Sequence, residues 1–302
     1  MNQLSKKMLK YNFVYFGISE VFLKKTLILT LFLFSFSFAK INIAVSILPQ
    51  KFFVDKIAGD LANVEVMVKP GASPATYEVK PAQLKALKEA KVYFYIGVPF
   101  EKAWLNRFKS VNEKLLFVDS GKYVKRVPMH SHSDEKKRKS GEFLDPHIWL
   151  SPPLVMLQAR AVLETLLKVD PKNSKIYMKN YRDFISSLSS IDVKIFSILK
   201  NLKQKEFIVF HPSFGYFALS YGLRQIAIEK EGKEPSLRYI KKVVDFAKKR
   251  GIKRIFVEPQ FSKRSAEYIA KQIGGKVVEI DPLSYEWDKN ILKVAEAFAN
   301  DN

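Results

Sequence analysis

Between residues 177 and 202 one apolar stripe runs without a break through Tyr177, Tyr181, Phe184, Leu188, Ile191, Ile195, Ile198 and Leu202. The steps alternate four and three, so all of these side chains fall on a single helical face. Asp170 and Pro171 supply an N-cap and a first-turn proline. Together they predict one helix over 171–202, roughly 48 Å long at ~1.5 Å per residue. A two-stranded coiled coil would bury such a stripe, but the flanking sequence offers another partner. Upstream, "INIAVSI" (41–47), "VEVMVK" (64–69), "KVYFYIG" (91–97) and "LLFVD" (115–119) alternate with helical stretches at 81–90 and 100–109. Downstream, "FIVF" (207–210), "RQIAIE" (224–229), "RIFVE" (254–258) and "KVVEI" (276–280) alternate with helical stretches at 236–250, 263–273 and 288–299. This βαβα pattern predicts parallel sheets covered by helices. The expected fold class is therefore α/β, with two parallel-sheet lobes (40–170 and 203–302) joined by a long rigid backbone helix.

The front end reads differently. Residues 26–38, "TLILTLFLFSFSF", follow Lys24 and Lys25 and end at small residues, Ser37 and Ala39. A thirteen-residue, largely apolar run suits a signal-peptide core better than a bilayer span. Residues 1–39 are accordingly expected to be a signal peptide with an extended n-region, and the protein to be periplasmic. Their removal takes away five lysines and one glutamate and leaves most of the +21 net charge. The remaining cations are spread over successive helices, as in "KKVVDFAKKR", without one basic stripe, which argues against a nucleic-acid partner. Cysteine is absent, which excludes disulfides, thiolate metal sites, cysteine nucleophiles and a lipobox cysteine. Residues 129–142, "MHSHSDEKKRKSGE", carry no core residue and read as a disordered loop.

The chain has four histidines. His130 and His132 lie in the polar loop as "HSH". His147 stands in "DPHIWL", His211 directly follows the strand "FIVF", and Asp281 directly follows "KVVEI". Open α/β sheets place ligands at the carboxyl ends of their strands, and two imidazoles with a carboxylate suit zinc. Each also has a plain structural reading, as a capped core histidine or as an aspartate N-cap of the last helix. No dinucleotide, Walker or H-E-x-x-H motif is present. A Ser213–His211–Asp281 triad can be written down, but the spacing gives it no support.

Taken in order, "KPGASPATYEVKPAQ", "DPHIWLSP", "FIVFHPSFGYFALSYGL", "EGKEPS", "FVEPQFSKRSAEYIA" and "EIDPL" resemble the zinc-uptake solute-binding proteins of bacterial ABC transporters (the cluster A-I metal-binding proteins), over roughly residues 41 to 300. The resemblance implies two α/β lobes on a long helix, with a metal ion in the cleft between them. It implies His147, His211 and Asp281 as metal ligands and Zn2+ as transported cargo rather than catalytic cofactor. It further implies a monomer with a membrane permease as partner. Histidine at 211, where manganese-selective members tend to carry a carboxylate, points to zinc. One position departs: the family's first ligand, a histidine, is replaced here by Ala75. Water, His130 or His132, or Glu78 would have to fill the gap. Other readings of the same residues are a zinc-dependent hydrolase with an open coordination position and Glu78 or Glu258 as base, a homologue selecting manganese or another metal, and a surface adhesin.

Overall fold

In the computed structural model, residues 40–129, 144–229 and 234–300 are described. The proposed signal peptide and nearly all of the polar loop, with His130 and His132, lie outside them. β1 (Ile41–Val45), β2 (Ala62–Val66), β3 (Val92–Tyr95) and β4 (Leu116–Asp119) form one parallel sheet in the order β2-β1-β3-β4. Ile43, Ala44 and Val45 are all buried, as expected of a central strand covered on both faces. Parallel pairing requires crossovers. Here the helices α1 (Leu48–Ala58), α2 (Pro81–Glu89) and α3 (Pro99–Val111) lie between successive strands, each with a proline in its first turn.

After a 3-10 turn at Ile148–Leu150 come two long helices, α4 (Pro152–Val169) and α5 (Ser174–Leu199). The second half then repeats the first. β5 (Glu206–Val209), β6 (Arg224–Ala227), β7 (Arg254–Val257) and β8 (Lys276–Glu279) form a parallel sheet in the order β6-β5-β7-β8. Its helices are α6 (Gly215–Ser220), α7 (Leu237–Arg250), α8 (Arg264–Ile273) and α9 (Trp287–Ala299). Gly251 and Gly274 end α7 and α8 with φ of +70° and +59°, the left-handed conformation a helix stop favours. In both sheets the first strand is central and the chain then turns to either side of it. The crevice of each lobe therefore opens at the carboxyl ends of the central strands. Among the described residues no helix is long and apolar enough to cross a membrane.

The backbone helix is shorter than the 171–202 expected. Pro171–Asn173 is a 3-10 turn, and the α-helix begins at Ser174 and ends at Leu199. Asp170 is the reason at the front end. Instead of capping backbone N–H groups, its Oδ2 accepts from Asn173 Nδ2 at 2.6 Å and from the Tyr177 hydroxyl at 2.7 Å. The stripe is buried as the spacing implied, with Tyr177, Phe184, Leu188, Ile191 and Ile195 all in the core. It packs within the chain against α1, α4 and α9, so no coiled-coil partner is needed. Phe184 meets Phe52 and Phe53 of α1 at 6.1 Å between ring centroids, and Trp287 of α9 meets Phe53 edge-on at 5.5 Å. First-lobe helix, backbone helix and last helix thus share one aromatic core.

Candidate metal centre

Two histidines, one from each half, are built into the structure in the same way. His147 begins the turn after Asp145–Pro146, and Asp145 Oδ1 accepts from both its backbone N (2.9 Å) and its ring Nδ1 (2.7 Å). Asp145 and His147 are both buried. His211 lies two residues beyond β5, and its Nδ1 faces Glu229 Oε2, two residues beyond β6, at 3.0 Å. Its ring stacks on Phe261, with centroids 4.8 Å apart and planes 20° apart. The His211 backbone N donates to Glu258 Oε2 at 3.1 Å, and the Ser213 hydroxyl donates to Glu258 Oε1 at 3.0 Å. Burial pushes the Glu258 carboxyl up to about 7, against the pull of His211 and of these donors.

The Nε2 atoms of His147 and His211 stand 3.3 Å apart. Each ring has a carboxylate on its Nδ1, which fixes that nitrogen as the N–H donor and leaves the Nε2 lone pair free. Two lone pairs facing one another at this distance invite a cation between them. At the ~2.0–2.1 Å bonds and tetrahedral angle of zinc–imidazole coordination, two ligand nitrogens stand about 3.3 Å apart. The observed spacing matches one edge of that tetrahedron.

Asp281 is held differently. Its Oδ1 accepts from Leu283 N at 2.9 Å, an Asx turn, and from Gln260 Nε2 at 3.1 Å. It lines a cavity of about 270 Å³ together with Lys69, Gly71, Ser284 and Tyr285. Trp149, two residues beyond His147, donates to the carbonyl of Pro282 at 2.8 Å, and Trp287 donates to the carbonyl of Trp149 at 2.7 Å. The segments bearing His147 and Asp281 are therefore fastened together. Even so, no three His, Asp or Glu side chains among the described residues converge as a ready metal cluster. The structure pairs His147 with His211 and leaves Asp281 engaged by its own turn.

The remaining candidates fall as follows. Ala75 and Glu78 are exposed on the turn before α2, where Ala75 N donates to Ser73 Oγ at 3.2 Å. The Ser213–His211–Asp281 triad is not assembled, since Ser213 donates to Glu258 and the His211 Nδ1 faces Glu229. Glu258, offered above as a general base, has both oxygens engaged by His211 N and Ser213. Glu229 was not singled out from the sequence. Its only local signal is a carboxylate closing an apolar strand, "RQIAIE".

Twin parallel α/β lobes, a helix packed across them and a pair of imidazoles, one from each lobe, define a two-lobed binding protein with a candidate metal centre at the seam. The family model described as zinc-uptake complex component A, periplasmic, matches residues 43–297, and the chain belongs to that family. It is 27% identical to the high-affinity zinc uptake system protein ZnuA of Bacillus subtilis over 252 residues, 81% of this chain and 79% of that protein. It is 29% identical to the zinc-binding lipoprotein AdcA of Streptococcus pneumoniae over 257 residues, which is 81% of this chain but 50% of that one. A crystal structure of ZnuA matches with a TM-score of 0.81 at 41% identity, covering 87% of this chain and 99% of the other.

Proposed function

We propose that this protein is the periplasmic zinc-binding component of an ABC uptake system. In this reading it captures the ion between His147 and His211, with Asp281 as a third donor, and passes it to a membrane permease. The observation that carries the reading is the imidazole pair, with Nε2 atoms 3.3 Å apart and a carboxylate behind each ring. The zinc-uptake and zinc-binding relatives support it. Two imidazoles in a chain without thiolates suit zinc better than manganese, which favours oxygen donors. Zinc is then cargo, the protein acts as a monomer without covalent chemistry, and neither nucleic acid nor substrate turnover enters. The position that Ala75 leaves without a donor falls to water, to His130 or His132, or to Glu78.

The test is calorimetry and thermal melting of chelator-stripped protein titrated with Zn2+ and, separately, Mn2+. Free zinc at a hundred times its Kd should stabilise the fold by about 2.7 kcal/mol. Replacing His211 by alanine should remove most of that gain. Absence of both binding heat and a melting shift with zinc would sink the proposal.

A further inference from the structure

We infer that Gly215 and Tyr216 are positioning residues that set the spacing between the two imidazoles, an inference that rests on the metal-binding reading above. His147 and His211 come from opposite lobes, so their 3.3 Å separation depends on what registers one lobe against the other. Gly215, four residues after His211, opens α6 with its backbone against Asp145. A Cβ at this position would stand 2.9 Å from Asp145 Oδ2, too close for carbon and oxygen without a shift. The other oxygen of the same carboxylate carries the His147 ring and backbone N. Asp145 is thus wedged between the imidazole it orients and the bare backbone of the other lobe.

Tyr216 fixes the same contact through the main chain. Its hydroxyl donates to the Asp145 carbonyl at 3.2 Å and accepts from Val127 N at 2.9 Å. Asp145 N in turn donates to Val127 O at 2.9 Å. Asp145 is 3% exposed, and its N, its carbonyl and its Oδ1 are all hydrogen-bonded, so it has little room to retreat. At the far end of α6, Ser220 and Ser151 hydroxyls meet at 2.8 Å. The connection from one Nε2 to the other is therefore short: the His211 ring, four residues of backbone, one carboxylate and the His147 ring. Any atom added at 215 must move Asp145, and His147 moves with it. Metal sites tolerate only about 0.5 Å of such misplacement.

The test uses the full chain stripped of metal, with zinc affinity measured by chelator competition and geometry by the visible spectrum of bound Co2+. Gly215→Ala should weaken zinc binding by about tenfold or more and diminish the intense bands of tetrahedral Co2+, while the metal-free protein still folds cooperatively with a lowered melting temperature. Tyr216→Phe, which adds no atom, should lose affinity a few-fold. Gly215→Ala with unchanged zinc affinity and an unchanged Co2+ spectrum overturns the inference. If Gly215→Ala does not fold, a folded Tyr216→Phe with unchanged affinity and spectrum overturns it equally. A wild-type protein that binds neither ion would instead refute the metal-binding reading itself.

Discussion

Glu229 offers a measurable way to ask whether the imidazole pair receives a cation. Zinc on His211 Nε2 at ~2.0–2.1 Å, the width of the ring and the 3.0 Å from Nδ1 to Glu229 Oε2 place the carboxylate roughly 7 Å from the ion. A charge of −1 and one of +2 at that separation attract by about 5 kcal/mol at an effective dielectric of 20 and about 1 kcal/mol in bulk water. The His211 side chain is 20% exposed and that of Glu229 is 4% exposed, so the value lies between these limits. A middle figure of about 2.7 kcal/mol corresponds to roughly a hundredfold in Kd. Glu229→Gln keeps an oxygen to accept from Nδ1–H but removes the charge, so its loss of affinity reports the electrostatic part. Glu229→Ala also removes the acceptor and should lose more. Isothermal titration of zinc into these two variants, His211→Ala and wild type reads this directly. Glu229→Gln binding within twofold of wild type, while His211→Ala abolishes binding, would refute the reasoning.

Three further perturbations follow, two from buried contacts and one from the exposed 69–81 turn. Burial raises the Glu101 carboxyl to about 7, despite hydrogen bonds from Ser46, Ile96 N and Gly97 N. A raised native pKa means the folded state holds the proton more tightly, so this stability is present below about 4.5 and lost as pH rises through about 7, up to about 3 kcal/mol. Glu258 shifts the same way, so urea melts of metal-free Glu101→Gln between pH 4.5 and 8 should keep about half of the wild-type slope; an unchanged slope contradicts this. Trp287→Phe leaves the buried Trp149 carbonyl without its donor and opens space in the aromatic core, which should cost about 2–4 kcal/mol by urea unfolding. Ala75→His should tighten zinc binding by calorimetry if the 69–81 turn lines the cleft, and unchanged affinity places that turn away from the ion.

Much of the fold is readable in the sequence because its signals are local. The eight strand runs are short and apolar between turn residues, and the stripe from Tyr177 to Leu202 keeps its period. The α-helix starts at Ser174 rather than 171, where the Asp170 side chain has two partners, Asn173 and Tyr177, that compete with capping. At the candidate site, Asp145 is legible beside His147 because it lies two residues away, where an Asx geometry is natural. Glu229 and Glu258 lie 18 and 47 residues from His211, and no local rule connects such separations. Nor does spacing reveal that Gln260 and Leu283 N would occupy Asp281 Oδ1. Residue types point to a candidate metal site, while the partners that orient each candidate donor emerge only from the tertiary structure.

The ties between the lobes lie beside the candidate donors. Trp149 follows His147 and bonds Pro282, which follows Asp281. Trp287 bonds Trp149, and Tyr216, close after His211, bonds Asp145. Separating the lobes would break at least these three buried hydrogen bonds, each costing about 1–3 kcal/mol if left unmade, and would also open the aromatic core around Phe53, Phe184 and Trp287. Rotation of a single side chain such as Asp281 or His211 breaks fewer contacts. Entry and exit of an ion are therefore expected to proceed by local rearrangement at the strand ends, with the two halves held in register throughout. Cross-linking the lobes at a distant surface pair should leave zinc exchange rates unchanged, and a large slowing would contradict that view.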